Sequence, residues 1–261
     1  MGVAVDRATS TETISHTVDI LGVSVHLVDK FQLLATVAGW TNQTERRTIM
    51  YVNANCLNLA NTDTEYRGLL NQADLVYADG VGAVWAGKFL YRCNLFKATG
   101  RDWIRDFCLQ AEKDGIKLYI LAGAPGIADR AAEKLLQEYP ALQIVGCSDG
   151  FFQAESEAQV LERIDQTAPQ VVFCGMGAPV QERWMTRYRQ EINAPVCWGV
   201  GALFDYLAGK EAQVPGWLDR AGLEWLWRLY VDPLGKWRRY LLGIPLFVVR
   251  IWKQKMGLRS T

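Results

Sequence analysis

Asp79 stands directly behind the apolar run Leu75-Val76-Tyr77-Ala78 and directly ahead of Gly80. A carboxylate there sits on a turn at the end of a strand. It reads either as a plain Asp-Gly turn or as a general base. Three further strand ends carry glycines: Ala122-Gly123-Ala124-Pro125-Gly126, Gly175-Met176-Gly177-Ala178-Pro179 and Gly199-Val200-Gly201. Glycine permits positive φ and close backbone approach, and Pro125 and Pro179 suit a first helical turn, where no N–H is needed. Free amides and the positive end of a helix dipole then face a docked anion such as phosphate. Taken singly, each loop reads equally well as a tight strand-to-helix turn. Several at one sheet edge favour a nucleotide-type ligand, with Gly123, Gly175, Gly177, Pro179 and Gly201 as candidate binding positions. Gln181 falls in the first turn after Pro179, where a neutral amide can both donate to a ligand and accept from it. Its neighbour Glu182 either complements the helix dipole or joins in binding.

Other chemistries are poorly provided for. GMGAPV lacks the third glycine of GxGxxG, and no GxxxxGK[ST] occurs, so neither a dinucleotide site nor a P-loop is supported. The two histidines, His16 and His26, both lie early in the chain. There is no GxSxG elbow, and no DxD stretch of the kind that holds a metal-bound diphosphate.

These loops need a frame. Short, near-continuous apolar runs alternate with helical patterns: Ile49–Val52, then a helix from about Leu57 to Asn71; Leu75–Ala78, then a helix to about Tyr91; a helix from Asp102 to Lys113 leading into Lys117–Ala122; a helix to Tyr139, then Leu142–Val145; a helix from Ser156 to Gln166, then Val171 onward; and Val196–Val200. Alternation of this kind predicts an α/β, Rossmann-like fold, with a mostly parallel sheet covered by helices on both faces. In such sheets ligands bind outside the carboxyl ends of the strands, where the loops above lie. The alternation stops near Val214-Pro215-Gly216. We therefore expect a polar, disordered arm over 1–18, a Rossmann-like catalytic domain over 19–213 and a basic, aromatic helical appendage over 214–261.

Charge follows the same division. Lysine plus arginine equals aspartate plus glutamate, 28 each, yet from Leu226 to Thr261 there are eight basic residues and one acid. The tail is basic and the body acidic, so the tail should seek an anionic surface. Its apolar run between Arg239 and Arg250 is ten residues long, half of the ~20 that a membrane span needs. Flanked by Trp, Tyr, Lys and Arg, it suits lying in a membrane interface. The competing reading is a C-terminal helix packed on the core or on a sister subunit. Nucleic-acid binding is disfavoured, because the basic residues alternate with aliphatic bulk rather than with a stacking platform. The six scattered cysteines contain no CxxC pair and read as reduced thiols of a cytosolic protein.

Together these residues resemble the WecG/TagA/CpsF glycosyltransferase family from about Ile20 to Tyr240. The matching blocks are Ala78-Asp79-Gly80-Val81-Gly82, Thr99-Gly100-Arg101-Asp102, Gly150-Phe151-Phe152, Gly175-Met176-Gly177-Ala178-Pro179-Val180-Gln181-Glu182, Gly199 through Gly209, and Gly222-Leu223-Glu224-Trp225 with Arg228-Leu229. The resemblance implies an inverting transferase with no metal or other cofactor. It would move a sugar, N-acetylmannosamine-type or a hexose or uronic acid, from a UDP donor to a sugar on a polyprenyl diphosphate. It implies peripheral attachment to the cytoplasmic face of a bacterial inner membrane through residues 226–261, and it leaves a homo-oligomer open. Asp79 takes the place of the family's base and Gln181 that of its donor contact. The matching blocks add Thr99, Gly100, Asp102 and Asp205 as binding candidates, Asn53 is a further one outside them, and Arg228, Arg238 and Arg239 stand as candidates to meet the diphosphate. Three departures are visible: Gln213-Val214-Pro215 where the family usually shows R-A-P, Asn53-Ala54-Asn55-Cys56 where it usually shows a histidine- or glutamate-containing version, and Lys97 where arginine is common. The alternatives are a non-catalytic nucleotide-binding module recruited to membranes and a dehydrogenase-like enzyme.

Overall fold

The computed structural model describes residues 16–258 apart from 153, 211 and 213. Residues 1–15 of the expected arm, and Gln213 where an arginine is usual, lie outside the described residues. The chain begins with a hairpin, β1 (Thr17–Ile20) and β2 (Val23–His26), and helix α1 (Lys30–Trp40). There follow β3 (Arg47–Val52), α2 (Ala54–Thr62), α3 (Thr64–Gln72), β4 (Leu75–Ala78), α4 (Val81–Tyr91) and α5 (Gly100–Asp114). The second half contains β5 (Lys117–Ala122), α6 (Ile127–Glu138), β6 (Gln143–Ser148), α7 (Ala154–Thr167), β7 (Val171–Gly175), α8 (Val180–Arg187), β8 (Val196–Gly199) and α9 (Leu203–Leu207). Helices α10 (Gly216–Arg220), α11 (Glu224–Val231) and α12 (Pro233–Trp237), a π-helical turn (Arg238–Leu242) and α13 (Gly243–Lys255) complete it.

Six strands form one sheet in the order β4-β3-β8-β7-β5-β6, and every pairing in it is parallel. The expected Rossmann-like α/β architecture is present. Central strands β7 and β8 are buried along their whole length, as a sheet covered on both faces requires. On one face Trp103 of α5 stacks on Trp198 of β8 with ring centroids 4.1 Å apart, and Phe107 and Phe173 pack around them. Burial of these rings supplies a large share of the apolar driving force, each covering on the order of 150–250 Å².

Three local features differ from the sequence reading. The single helix expected from Leu57 to Asn71 is two helices. Asp63 takes an extended conformation, closes α2 through its N–H to the Leu59 carbonyl, and caps α3 with its carboxylate on the Tyr66 amide. The hairpin was not expected, and its first strand takes in Thr17 and Val18, two residues read as arm. Its two-residue turn is Leu21-Gly22, both at positive φ, a geometry usually signalled by Asn-Gly or Asp-Gly. Helix α1 was also missed, although Asp29 and Gln32 form a capping box at its start, a legible signal.

The appendage is not separate from the body. Phe247 and Ile251 of α13 are fully enclosed and belong to the core formed by the hairpin, α2, α3 and α4. Arg250 donates to the carbonyl and side-chain oxygens of Asn58, and the Gln254 side chain holds the hairpin turn at Leu21 N–H. The outer face of the same region is apolar and open, with Tyr230 78 % and Leu234 89 % exposed. Among the described residues no helix is long and apolar enough to cross a membrane.

Candidate active site

A cavity of about 670 Å³ opens at the carboxyl ends of β3, β4, β7 and β8 and is roofed by α11, the π-helical turn and α13. Its size suits a small-molecule site. Asp79 lies at its floor, placed by its own N–H, which bonds to the Val52 carbonyl at 2.8 Å. The next residue, Gly80, has φ +95, which a side chain would strain. That turn lets α4 start immediately and keeps the carboxylate at the strand end.

Asn53 prepares one side of Asp79. Its carbonyl oxygen accepts from the amides of Asn55 and Cys56 and so caps α2. That fixes which end of the side-chain amide is free, and Nδ2 faces Asp79 Oδ2 at 3.4 Å. Burial pushes the Asp79 carboxyl up, Glu224 adds to the effect, and Arg228, the Asn53 amide and Arg239 oppose it; the result is about 6. A carboxylate poised there is ionised at neutral pH and basic enough to take a proton.

Three helices of eight residues or more start at the cavity. First-turn or capping residues of α2 (Asn53 to Cys56), α4 (Gly80 to Gly82) and α5 (Thr99 to Arg101) all line it. Their dipoles place partial positive charge on one volume, which favours an anion. Lys97, Arg101, Arg228 and Arg239 line the same volume. Glu224 bridges two of these cations, Arg101 at 3.0 Å and Arg228 one turn further along α11. Both guanidinium groups lie over the Tyr206 ring, 5.6 and 5.1 Å from its centroid. Glu224 thereby fastens α11, from the appendage, to the start of α5.

Of the sequence candidates, Asp79, Asn53, Thr99, Gly100, Gly177, Gly201, Arg228 and Arg239 line the cavity. The rest stand behind it or away from it. Asp102 is spent on Thr99, accepting from its hydroxyl at 2.6 Å and its amide at 3.1 Å, and so shapes the start of α5. Gly123 belongs to the β5 end, where its N–H bonds to Gly175. At Gly175 a β-carbon would fall 2.7 Å from Ala122 Cβ and 2.8 Å from the Gly201 carbonyl, so that glycine serves packing. Pro179 stands at the N-cap position of α8, and the Ala178–Pro179 bond before it is cis. Asp205 pairs with Lys210 at 3.0 Å, and the Arg238 guanidinium lies over the Trp237 ring.

Gln181 has no exposure at all, nor has Glu182. The Gln181 carbonyl oxygen accepts from Gly177 N–H at 3.2 Å and Gly201 N–H at 3.0 Å, and its NH₂ donates to Glu182 at 2.9 Å. It ties two cavity loops together from behind. The two glycine amides expected to face a phosphate are turned toward this side chain instead, and the positive charge at the cavity comes from helix starts and cationic side chains. Glu182 keeps one oxygen without a hydrogen-bond partner, and burial pushes its carboxyl up to about 7.

Sequence reasoning passed over Arg101, Tyr206, Glu224 and Tyr240 as individual site residues. Arg101 and Glu224 sit inside quoted blocks, so the signal was present. Their meeting depends on the fold of the appendage.

The chain matches the family described as glycosyl transferase WecG/TagA/CpsF over residues 18–261. Three relatives come from Staphylococcus aureus strains MRSA252, NCTC 8325 / PS 47 and COL. Each is 29 % identical to this chain over 248 residues, covering 93 % of it and 95 % of the relative. All three carry the name N-acetylglucosaminyldiphosphoundecaprenol N-acetyl-beta-D-mannosaminyltransferase.

Proposed function

We propose that this chain, which belongs to the glycosyl transferase WecG/TagA/CpsF family, moves an N-acetylmannosamine-type sugar from a UDP donor to a sugar carried on polyprenyl diphosphate. It is a glycosyltransferase of cell-envelope polysaccharide synthesis. The observation that carries the chemistry is Asp79 at the floor of a cavity ringed by three helix starts, Lys97, Arg228 and Arg239.

The acceptor hydroxyl oxygen attacks the anomeric carbon from the face opposite the UDP, and its proton passes to Asp79. The bond from the anomeric carbon to the diphosphate oxygen breaks, and its electron pair leaves with UDP. The new negative charge falls where cationic side chains and helix dipoles are already placed, which lowers the barrier without reorganisation. The cations do the work that a divalent ion does in other transferases, and we propose turnover without a metal. The exposed apolar outer face of residues 226–258, with its lysines and arginines, supports peripheral attachment to a lipid surface, and a UDP-sugar donor places that surface on the cytoplasmic side.

The test is purified protein with a panel of UDP-sugars and a synthetic lipid-diphosphate sugar, with and without EDTA. Transfer with inversion, insensitive to EDTA, is expected. Asp79→Asn should lower kcat by about 10²–10⁴-fold and leave UDP affinity within a few-fold. Full activity of that variant removes Asp79 from the mechanism. UDP binding without turnover on any lipid acceptor favours a non-catalytic module.

A further inference from the structure

The cavity has a second wall that the transfer chemistry does not use. Val81 and Trp85 of α4 and Ile244, Phe247 and Val248 of α13 line it. A diphosphate gains little from a wall of indole, phenyl and branched aliphatic groups, and a single sugar ring is too short to cover a strip that runs on past the cavity.

Both helices continue this apolar row beyond the cavity. Along α4 it runs Val81, Trp85, Phe89, and along α13 it runs Ile244, Val248, Trp252, each at a spacing of four. Residues four apart lie one above the other on one helix face. The two helices lie side by side and point the same way. Near the cavity the Trp85 and Phe247 rings are 6.2 Å apart, and at the far end Lys255 donates to the Leu90 carbonyl while Gln254 reaches the Tyr91 hydroxyl at 3.4 Å. Buried Phe247 and Ile251 of α13 share one core cluster with Ala83, Ala86 and Leu90 of α4. The rims stay open: Trp85 stacks on Phe89 with centroids 5.3 Å apart, yet Phe89 is 38 % exposed and Trp252 51 %. An open apolar strip that begins inside a polar cavity marks a ligand with one polar and one apolar end.

We propose that the groove between α4 and α13 is a subsite for the hydrocarbon next to the acceptor's diphosphate, the first isoprene units of its lipid. This rests on the reading of the acceptor as a polyprenyl diphosphate. The row from Val81 to Phe89 is about 12 Å long, enough for roughly two to three isoprene units. The chain leaves the site along the protein before it enters the bilayer, so the enzyme measures the lipid it accepts and does not depend on the membrane for its grip.

Two measurements test this in solution, without vesicles. The first compares KM for N-acetylglucosaminyl diphosphates esterified with methyl, geranyl and farnesyl groups, in the wild type and in Phe89→Ser and Trp252→Ser. Wild-type KM should fall from methyl to farnesyl by at least tenfold, and each variant should lose most of that advantage. The second is calorimetry of farnesyl diphosphate against inorganic pyrophosphate, which needs no turnover. The farnesyl compound should bind at least tenfold tighter to the wild type and lose this preference in Phe89→Ser. Equal KM for all three esters sinks the groove and leaves the transferase reading standing. Variants that keep the full farnesyl advantage in both measurements remove the strip as a lipid subsite. Absence of transfer to any ester sinks the transferase reading, and calorimetry then decides the groove separately.

Discussion

Asp79, half-buried at the cavity, and Glu182, fully buried, are both acids held above the ordinary carboxylate range, for different ends. Asp79 opens on the cavity and must be ionised to accept a proton. With its carboxyl at about 6, kcat/KM should climb with pH through about 6 and level off above it, a limb that Asp79→Asn removes. Glu182 meets no ligand. Its folded value near 7 lies above the unfolded one, so the folded state holds a proton that the unfolded state releases. The resulting stability is fully present below about pH 4 and is lost as pH rises through about 7. Thermal melts of Glu182→Gln should therefore fall less steeply between those limits than wild type. The pair also supplies a test of what Gln181 does. If its work is to clamp Gly177 and Gly201, Gln181→Glu sets two acids against each other and should cut kcat/KM by about tenfold or more, whereas adding Glu182→Gln restores the hydrogen-bond chain and the activity. A direct contact between the Gln181 NH₂ and the donor predicts no such rescue.

At the scale of elements, the C-terminal helix is both wall and wedge. Phe247 fills the core under α2 and α4 and lines the cavity. Phe247→Ala should cost about 3–5 kcal/mol in urea unfolding, whereas Leu246→Ala, on the open face, should cost little. The boundary near residue 214 is visible in the pattern because strand–helix alternation ends there, but the pattern does not reveal where the last helix goes. The hairpin was illegible for a similar reason. Leu21 accepts an unfavourable positive φ, and Gln254, 233 residues away, holds its amide. Once folded, the hairpin also covers the β4 edge. His26 Nδ1 accepts from Val76 N–H at 3.0 Å, and burial lowers the ring's proton affinity, consistent with a neutral imidazole. An exposed edge strand is an aggregation risk, which this contact reduces.

Across the whole molecule the charge is divided, a net +7 beyond Leu226 against −7 in the rest. The same segment exposes Tyr230, Leu234 and Trp252. Binding to anionic vesicles should weaken as salt rises, because screening removes the roughly 1 kcal/mol that each surface cation contributes. A residue of binding should survive high salt through the apolar side chains. Salt-independent binding in a flotation assay counts against the charge division as the cause.

The parallel sheet, the place of Asp79 at a strand end and the basic tail were legible in the chain because each depends on neighbours in sequence: apolar runs, a following glycine, a count of charges. The tertiary structure decided which loops face one another. It turned the Gly177 and Gly201 amides onto Gln181, set Glu224 between Arg101 and Arg228, and brought α13 back beside α4 to make the groove. Those contacts join residues far apart in the chain. Hydrogen-bond satisfaction and burial select them only when the whole core closes, and no local pattern records them.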